Sequence, residues 1–196
     1  MLKVLFLGYN KNETSLINHL KKHKDIAFVD NIQTKITNFK SIIKYDLIIC
    51  FGYRHIINEN IINRFLKPII NLHMSYLPFN KGAHPNFWSF IDETPKGVSI
   101  HLIDKNLDSG RVIYQKNVRF NLKKNKNLTF KSTYQILFNC IEKLFIKHID
   151  NLITGNYKSI AQNKKGSFHK KNELPNFMND WNIKVLKAKK LFKNLI

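Results

Sequence analysis

Acidic side chains are scarce in this chain. Thirteen aspartates and glutamates stand against 33 lysines and arginines among 196 residues, which leaves a formal net charge of +20. Such an excess suits a polyanionic partner such as RNA, an anionic small-molecule substrate, or a general bias toward lysine, asparagine and isoleucine. Most lysines are spread along the chain, and only residues 163–171 and the last stretch look like patches. This spread favours the compositional bias, so we expect no nucleic-acid partner.

Cysteines are few and long apolar runs are missing. Cys50 lies in an apolar run and Cys140 in a helical pattern, far apart in sequence, which is typical of buried, reduced thiols in a cytosolic protein. No run approaches the roughly 20 apolar residues of a membrane span, and the apolar start is shorter than a secretory signal. The Cys, His and Asp residues show no metal-ligand spacing. We therefore expect a cytoplasmic protein with no membrane span and no metal.

Apolar material is nevertheless sufficient for a core, since hydrophobic residues make up 43% of the chain. Apolar runs predict strands at Leu2–Leu7, Ile26–Val29, Asp46–Phe51, Ile69–His73, Gly97–Asp104 and Arg111–Phe120. Helical spacing predicts helices at Thr14–Lys22, Asn60–Leu66, Phe87–Ile91 and Leu128–Ile153. Strands that alternate with helices predict an α/β fold whose sheet is largely parallel in its first half.

The pattern changes after Gly155. Tyr157–Ala161 and Ser167–His169 flank a lysine-rich tip with a turn glycine, which predicts a β-hairpin. A lysine-rich helix is predicted from Asp180 onward. The sequence therefore divides into a catalytic domain at 1–155 and a C-terminal appendage of hairpin and helix at 156–196.

Three side chains suit acyl transfer to an amine. Asn71 and His73 alternate onto one side of a buried strand near its carboxyl end, where ligands bind in open α/β sheets. Asp108 follows within Leu107-Asp108-Ser109-Gly110. An amide N–H stabilises an oxyanion, an imidazole takes the amine proton, and a carboxylate orients the imidazole. On spacing alone, a strand-end Asn and His that satisfy loop backbone groups, with Asp108 as a turn residue, remain the stronger alternative.

The string from Asn71 to Gly110, NLHMSYLPFNKGAHPNFWSFIDETPKGVSIHLIDKNLDSG, resembles the folate-dependent formyltransferase superfamily. The words FGYRHI and KGAHPNFWSF are most similar to the sugar N-formyltransferases. The resemblance implies a Rossmann-like domain with helices on both faces of the sheet. It also implies formyl transfer from N10-formyltetrahydrofolate to the amine of a nucleotide-linked deoxyamino sugar, in surface-glycan precursor synthesis.

The resemblance also assigns residues. It implies that Asn71, His73 and Asp108 are the catalytic three. Two loops would hold the pterin of the folate, namely Arg54, His55, Ile56 and Ile57 in the first and Asp104, Lys105 and Asn106 in the second. Substrate contacts are expected at Ser75, Lys81, His84 and Trp88. Arg54 as a solvated loop charge and Trp88 as a core residue remain open alternatives.

The chain departs from the superfamily pattern in two places. Only three predicted strands precede Asn71, so one βα unit is shortened or missing, and Gly8 is not followed by the Gly-Ser-rich phosphate loop of the glycinamide ribonucleotide enzymes. Methionyl-tRNA and glycinamide ribonucleotide formyltransferases are the alternative functions. Similarity to the sugar enzymes also implies a homodimer that is built partly through the predicted hairpin.

Overall fold

A six-stranded mixed sheet runs through the centre of the computed structural model, which describes residues 1–195. The strand order is β2-β1-β3-β4-β6-β7. These strands are β1 (Leu2–Gly8), β2 (Ile26–Ile32), β3 (Leu47–Phe51), β4 (Ile69–His73), β6 (Gly97–Leu102) and β7 (Val112–Asn117), and a separate short strand β5 (Lys81–Gly82) lies between β4 and β6 in sequence. Strands β1 to β4 pair in parallel, whereas β6 pairs antiparallel with both of its neighbours, β4 and β7. The predicted α/β fold, parallel in its first half, is thereby confirmed.

Helices cover both faces of this sheet. They are α1 (Leu16–Lys21), α2 (Glu59–Arg64), α3 (Pro85–Ile91), α4 (Phe130–Lys147), α5 (Ile149–Thr154) and α6 (Val185–Lys193). Val4 and Phe6 of β1 pack with α1, α4 and α5, while Leu5 and Leu7 pack on the opposite face with α2. Because β1, β3 and β4 are largely buried on both faces, they appear in the sequence as continuous apolar runs.

The connection between β2 and β3 lacks a full crossover helix. A single 3-10 turn at Phe39–Ser41 takes its place, and the buried side chains of Ile36, Ile42 and Tyr45 cover the sheet there. This connection is the shortened βα unit that the sequence indicated, and Asn71 lies on the fourth strand.

The long helix predicted at Leu128–Ile153 is wrong in one respect, because it is two helices. Thr129 and Ser132 form a capping box that begins α4, and the chain leaves helical geometry at His148 before α5 starts. The His148 ring stacks on Tyr114 of β7, with ring centroids 3.9 Å apart. The apolar periodicity continues across this break, so the helical pattern alone could not reveal it.

The predicted C-terminal hairpin is also wrong. Ile160 forms an isolated antiparallel bridge with Val112 of β7, and β8 (Phe168–His169) pairs in parallel with β5. The two segments thus bind different parts of residues 1–155 instead of each other. The turn signal between the two segments is a local feature of the sequence. Their actual partners are the backbone groups of Val112 and Lys81 in residues 1–155, and the sequence pattern does not show that these groups are available for pairing.

The predicted C-terminal helix is present as α6. Its buried Val185 and Ala188 pack into a cluster with Phe87, Phe90 and Phe130. The division of the chain at residue 155 stays a prediction. Within residues 1–195, no helix has the length and apolar character needed to cross a membrane.

Candidate active site

Strand β4 places Asn71 and His73 on the face of the sheet that α4 does not cover. Their neighbours Ile70 and Leu72 point the other way, into the core formed with α1, α4 and α5. In the antiparallel pairing with β6, Asn71 lies opposite His101 and His73 lies opposite Ser99. Cross-strand partners share one face, so the sheet itself brings two histidines and an amide together.

The Asn71 amide is held by two acceptors. Its Nδ2 group donates to Asp108 Oδ1 at 3.1 Å and lies 3.1 Å from His101 Nε2. His101 Nδ1 lies 2.8 Å from the Leu102 carbonyl oxygen, which can only accept. When the His101 ring carries a single proton, this contact places it on Nδ1, and Nε2 then accepts from Asn71. Both amide hydrogens of Asn71 are engaged, so donation to a reaction oxyanion requires that one of these bonds be exchanged.

Asp108 sits at the centre of the cluster. Its backbone adopts a left-handed conformation with φ 52°. Oδ2 accepts the Gly82 N–H at 2.9 Å and lies 3.7 Å from His73 Nδ1. Burial alone raises the pKa of this carboxyl, but His73, His101 and the Gly82 N–H outweigh burial and lower the pKa below its ordinary value. Asp108 is therefore ionised at neutral pH.

His73 is buried between two acceptors. Its Nε2 lies 3.2 Å from the Asn80 carbonyl oxygen, while Nδ1 faces Asp108. Burial lowers the pKa of the imidazole, and the Asp108 charge and the Asn80 carbonyl offset this only in part. The ring is thus neutral at physiological pH and can accept a proton.

The two predicted folate loops lie at the surface. Arg54, His55 and Ile56 are exposed, while Ile57 anchors the first loop in the core. Among the described residues, no intramolecular hydrogen bond occupies the backbone N–H or C=O groups of residues 54–57. These groups are available to a ligand.

The second loop is shaped by its own first residue. Asp104 Oδ1 accepts from the Asn106 N–H at 3.0 Å and from the Ser109 hydroxyl at 2.7 Å. This turn leads directly into Asp108. The side chains of Asp104, Lys105 and Asn106 are exposed.

Two of the four predicted substrate contacts are buried side chains. Ser75 is buried and its hydroxyl donates to the Phe79 carbonyl at 2.8 Å, so it stabilises a turn. Trp88 is buried in the cluster with α6 and stacks on His169 with ring centroids 4.0 Å apart. Both side chains pack inside the protein, and their assignment as substrate contacts stays a prediction.

The other two predicted contacts lie beside the site. Lys81 is half-buried in β5, next to Gly82. His84 has a left-handed backbone at the start of α3, and its ring centroid lies 5.6 Å from that of Trp181. Burial, together with the charge of Lys171, lowers the pKa of His84.

A cavity of about 650 Å³ is lined in part by Met74, the residue that follows His73 in sequence. His84 and Trp181 contribute aromatic rings to its wall, and Lys131 contributes a cationic side chain. The remaining lining comes from the first turns of α3 and α4 and from residues 179–182. Ligand sites in proteins commonly have this volume and this mixture of apolar walls and few polar groups. In residues 1–195, no three His, Cys, Asp or Glu side chains are grouped so that they could share a metal ion.

Sequence reasoning missed His101, Asn80 and Trp181. A histidine inside the apolar run Gly97–Asp104 was a usable signal, because an imidazole in a buried strand needs polar partners. Nothing in the sequence distinguished Asn80 or Trp181, whose importance depends on contacts with distant segments.

The chain is similar in sequence to known formyltransferases. The sequence profile described as formyl transferase matches residues 4–133. A methionyl-tRNA formyltransferase from Fusobacterium nucleatum is 32% identical over 155 residues, which are 78% of this chain and 47% of that protein. A dTDP-4-amino-4,6-dideoxyglucose formyltransferase from Mycobacterium tuberculosis is 27% identical over 67% of this chain and 53% of its own length. The chain thus spans about half the length of these curated relatives.

A solved structure matches over nearly the whole chain. The formyltransferase PseJ from Anoxybacillus kamchatkensis, in complex with UDP-4,6-dideoxy-4-formamido-L-AltNAc and tetrahydrofolate, superimposes with a TM-score of 0.84 and 37% identity. The match covers 94% of this chain and 96% of that one. The Rossmann-like architecture expected from the sequence is therefore confirmed.

Proposed function

The chain belongs to the formyl transferase family, and we propose that it transfers a formyl group from N10-formyltetrahydrofolate to the amino group of a nucleotide-linked deoxyamino sugar. The observation that carries this proposal is the cluster in which the Asn71 amide donates to Asp108 and Asp108 faces His73, in a protein that also has a cavity of about 650 Å³. The full-length likeness to a formyltransferase solved with a nucleotide sugar and tetrahydrofolate supports the same substrate classes.

The proposed chemistry begins at the amine. Its nitrogen attacks the formyl carbon of the folate, the carbonyl becomes a tetrahedral oxyanion, and the bond to folate N10 then breaks. The attacking nitrogen loses a proton to the neutral His73 ring, and the imidazolium returns this proton to N10 as tetrahydrofolate leaves. The ionised Asp108 stabilises the imidazolium that forms. Asn71 supplies an N–H to the oxyanion once one of its present bonds is exchanged.

The two surface loops fit a folate. The pterin is a flat ring with several hydrogen-bond donors and acceptors, and the unpaired backbone groups of residues 54–57 match that need. We assign Arg54, His55, Ile56 and Ile57 to this contact. Asp104, Lys105 and Asn106 form the second side, on the loop that carries Asp108.

The cavity suits the nucleotide of the acceptor. His84 and Trp181 offer rings on which a base can stack, and Lys131 offers a positive charge for a phosphate. Met74, which follows His73 in sequence, is one of the residues that line this cavity. We also propose that the enzyme acts in the cytoplasm, on precursors of surface glycans.

Methionyl-tRNA formylation is the second candidate. The net charge of +20 favours a polyanionic substrate, and the relative from Fusobacterium nucleatum has this activity by name. The lysines are nevertheless spread along the chain, and the cavity is sized for a small molecule.

A release assay separates these candidates. The protein is incubated with N10-formyltetrahydrofolate and, separately, with UDP- and dTDP-linked 3-amino and 4-amino deoxysugars, glycinamide ribonucleotide and charged methionyl-tRNA. We expect tetrahydrofolate release and a formamide product with at least one nucleotide sugar only. Turnover with charged tRNA alone would reject the proposal in favour of the second candidate.

A further inference from the structure

Asn80 has a conformation that its neighbours must hold in place. It is 0% exposed and its backbone is left-handed, with φ 53°. This region disfavours residues with a Cβ, and glycine adopts it without that penalty. Asparagine adopts it more readily than most residues with a side chain, because its short polar side chain can form local hydrogen bonds.

Each polar group of Asn80 has a partner. Its N–H donates to Ser167 Oγ at 2.9 Å, and Ser167 Oγ donates to Asn80 Oδ1 at 3.1 Å. Its Nδ2 donates to Thr94 Oγ1 at 2.7 Å, and its carbonyl oxygen lies 3.2 Å from His73 Nε2. The Asn80 side chain is thus fixed so that its carbonyl aims at His73.

Ser167 is seated by the strand that follows it. Its carbonyl accepts the Lys81 N–H at 2.9 Å, and the His169 carbonyl accepts the Ala83 N–H at 2.9 Å. Gly166 packs so closely against the Pro78 carbonyl that a Cβ would lie 2.0 Å from that oxygen. Ser167 lies in the segment beyond residue 155 and contacts Asn80, and Asn80 in turn contacts His73. This segment is therefore linked to His73 through one intermediate residue.

The Asn80 carbonyl selects a tautomer of His73. A carbonyl only accepts, so His73 Nε2 must carry the proton of the neutral ring. Asp108 Oδ2 competes for a ring N–H, but its 3.7 Å distance from Nδ1 exceeds a normal hydrogen bond. Nδ1 is then the nitrogen with a free electron pair.

We propose that Asn80 and Ser167 are positioning residues that hold His73 as the Nε2–H tautomer and so make Nδ1 the nitrogen that receives the amine proton beside Asp108. The inference rests on the proposed function only for the role of His73 as the base. In the proton transfer, the amine N–H bond breaks, an Nδ1–H bond forms, and the positive charge on the ring faces the Asp108 carboxylate.

Ring-nitrogen NMR tests the tautomer without any substrate. Protein with ¹⁵N-labelled histidine is measured above the histidine titration range, and the His73 signals are assigned by their absence in His73→Asn. Wild type is expected to show a protonated Nε2 and an unprotonated Nδ1. Ser167→Ala should shift population toward the Nδ1–H form, because Asp108 then competes for the ring proton. Ser167→Thr keeps the hydroxyl and should retain the wild-type signals.

Ser159→Ala is the matched control. Ser159 is a half-buried serine in the same segment, and its hydroxyl accepts from Arg111 Nε at 2.9 Å, away from His73. It should leave the His73 signals unchanged. Asn80→Gly tolerates the positive φ while it removes both side-chain bonds, so it should reproduce the shift of Ser167→Ala.

Kinetics provide the second readout. With an accepted amine, Ser167→Ala should lower kcat about tenfold, the effect of losing roughly 1.4 kcal/mol of hydrogen bonding, while KM for the folate stays unchanged. His73 signals that remain like wild type in Ser167→Ala and Asn80→Gly would overturn this inference. Failure of every nucleotide sugar to react would instead reject the proposed function and leave the NMR result standing.

Discussion

Single substitutions in the cluster separate catalysis from folding. Asn71→Asp replaces an N–H donor by a carboxylate 3.1 Å from Asp108, so we expect kcat to fall by a factor on the order of 10²–10³. His73→Asn removes the proton acceptor and should be comparably severe, and Asp108→Asn should lower turnover while the fold is kept. The measurements are kcat and the melting midpoint of each variant.

Asn139→Asp is the control for this series. It makes the same amide-to-acid change on the exposed surface of α4, so its kcat should match wild type. If Asn71→Asp and His73→Asn turn over at near wild-type rates, the assignment of the catalytic residues is wrong.

The pH profile reports on His73. Because burial lowers the pKa of this imidazole, the ring stays neutral below the ordinary histidine value of about 6.5. We expect kcat to hold through neutrality and to fall only at more acidic pH. Asp108→Asn removes the charge that raises this pKa, so the acidic limb of its residual activity should move to lower pH. A limb that moves upward would contradict the pairing of His73 with Asp108.

Trp181 tests the assignment of the cavity to the nucleotide. Trp181→Ala removes a ring from the cavity wall, and base stacking contributes about 1–3 kcal/mol. We expect KM for the nucleotide sugar to rise by about one to two orders of magnitude while KM for the folate stays constant. Trp181→Phe retains a ring and should lose much less. Equal effects on both KM values would mean that the cavity does not hold the nucleotide.

At the scale of the element, the start of α4 supports the cavity. Thr129 Oγ1 accepts the Ser132 N–H at 3.1 Å, and Ser132 Oγ accepts the Thr129 N–H at 2.9 Å. Thr129→Ala should cost about 1 kcal/mol of unfolding free energy, which lowers the melting midpoint by about 2–4 °C in a protein of this size. Thr129→Ser keeps the cap and is the control. An unchanged midpoint in Thr129→Ala would show that the cap adds nothing to stability.

At the scale of the whole molecule, we predict a homodimer. The segment 157–169 is anchored to its own body by Ile160 and β8, yet Ile160 remains 73% and Phe168 49% exposed. Sedimentation at micromolar concentration should show a dimer. Ile160→Lys combined with Phe168→Lys should weaken it, since charged groups disfavour burial in an interface. A wild-type monomer would remove this prediction.

The α/β order, the parallel first half of the sheet and the candidate residues could all be predicted from the sequence. Short continuous apolar runs that are bounded by turn residues favour strands covered on both faces, and alternation within β4 requires Asn71 and His73 to share a face. The string around these residues also indicated the family, because a family motif consists of residue types at fixed spacing and the sequence contains both.

Tertiary structure alone decided the rest. The helix break at His148 depends on a ring stacked on Tyr114, and the tail pairs with β5 and β7 because their backbone groups were free. Ser75 and Trp88 are buried, His101 and Asn80 contact the cluster through long-range contacts, and Trp181 lines the cavity. These outcomes depend on which distant residues meet, and a local pattern of polarity carries no information about such meetings.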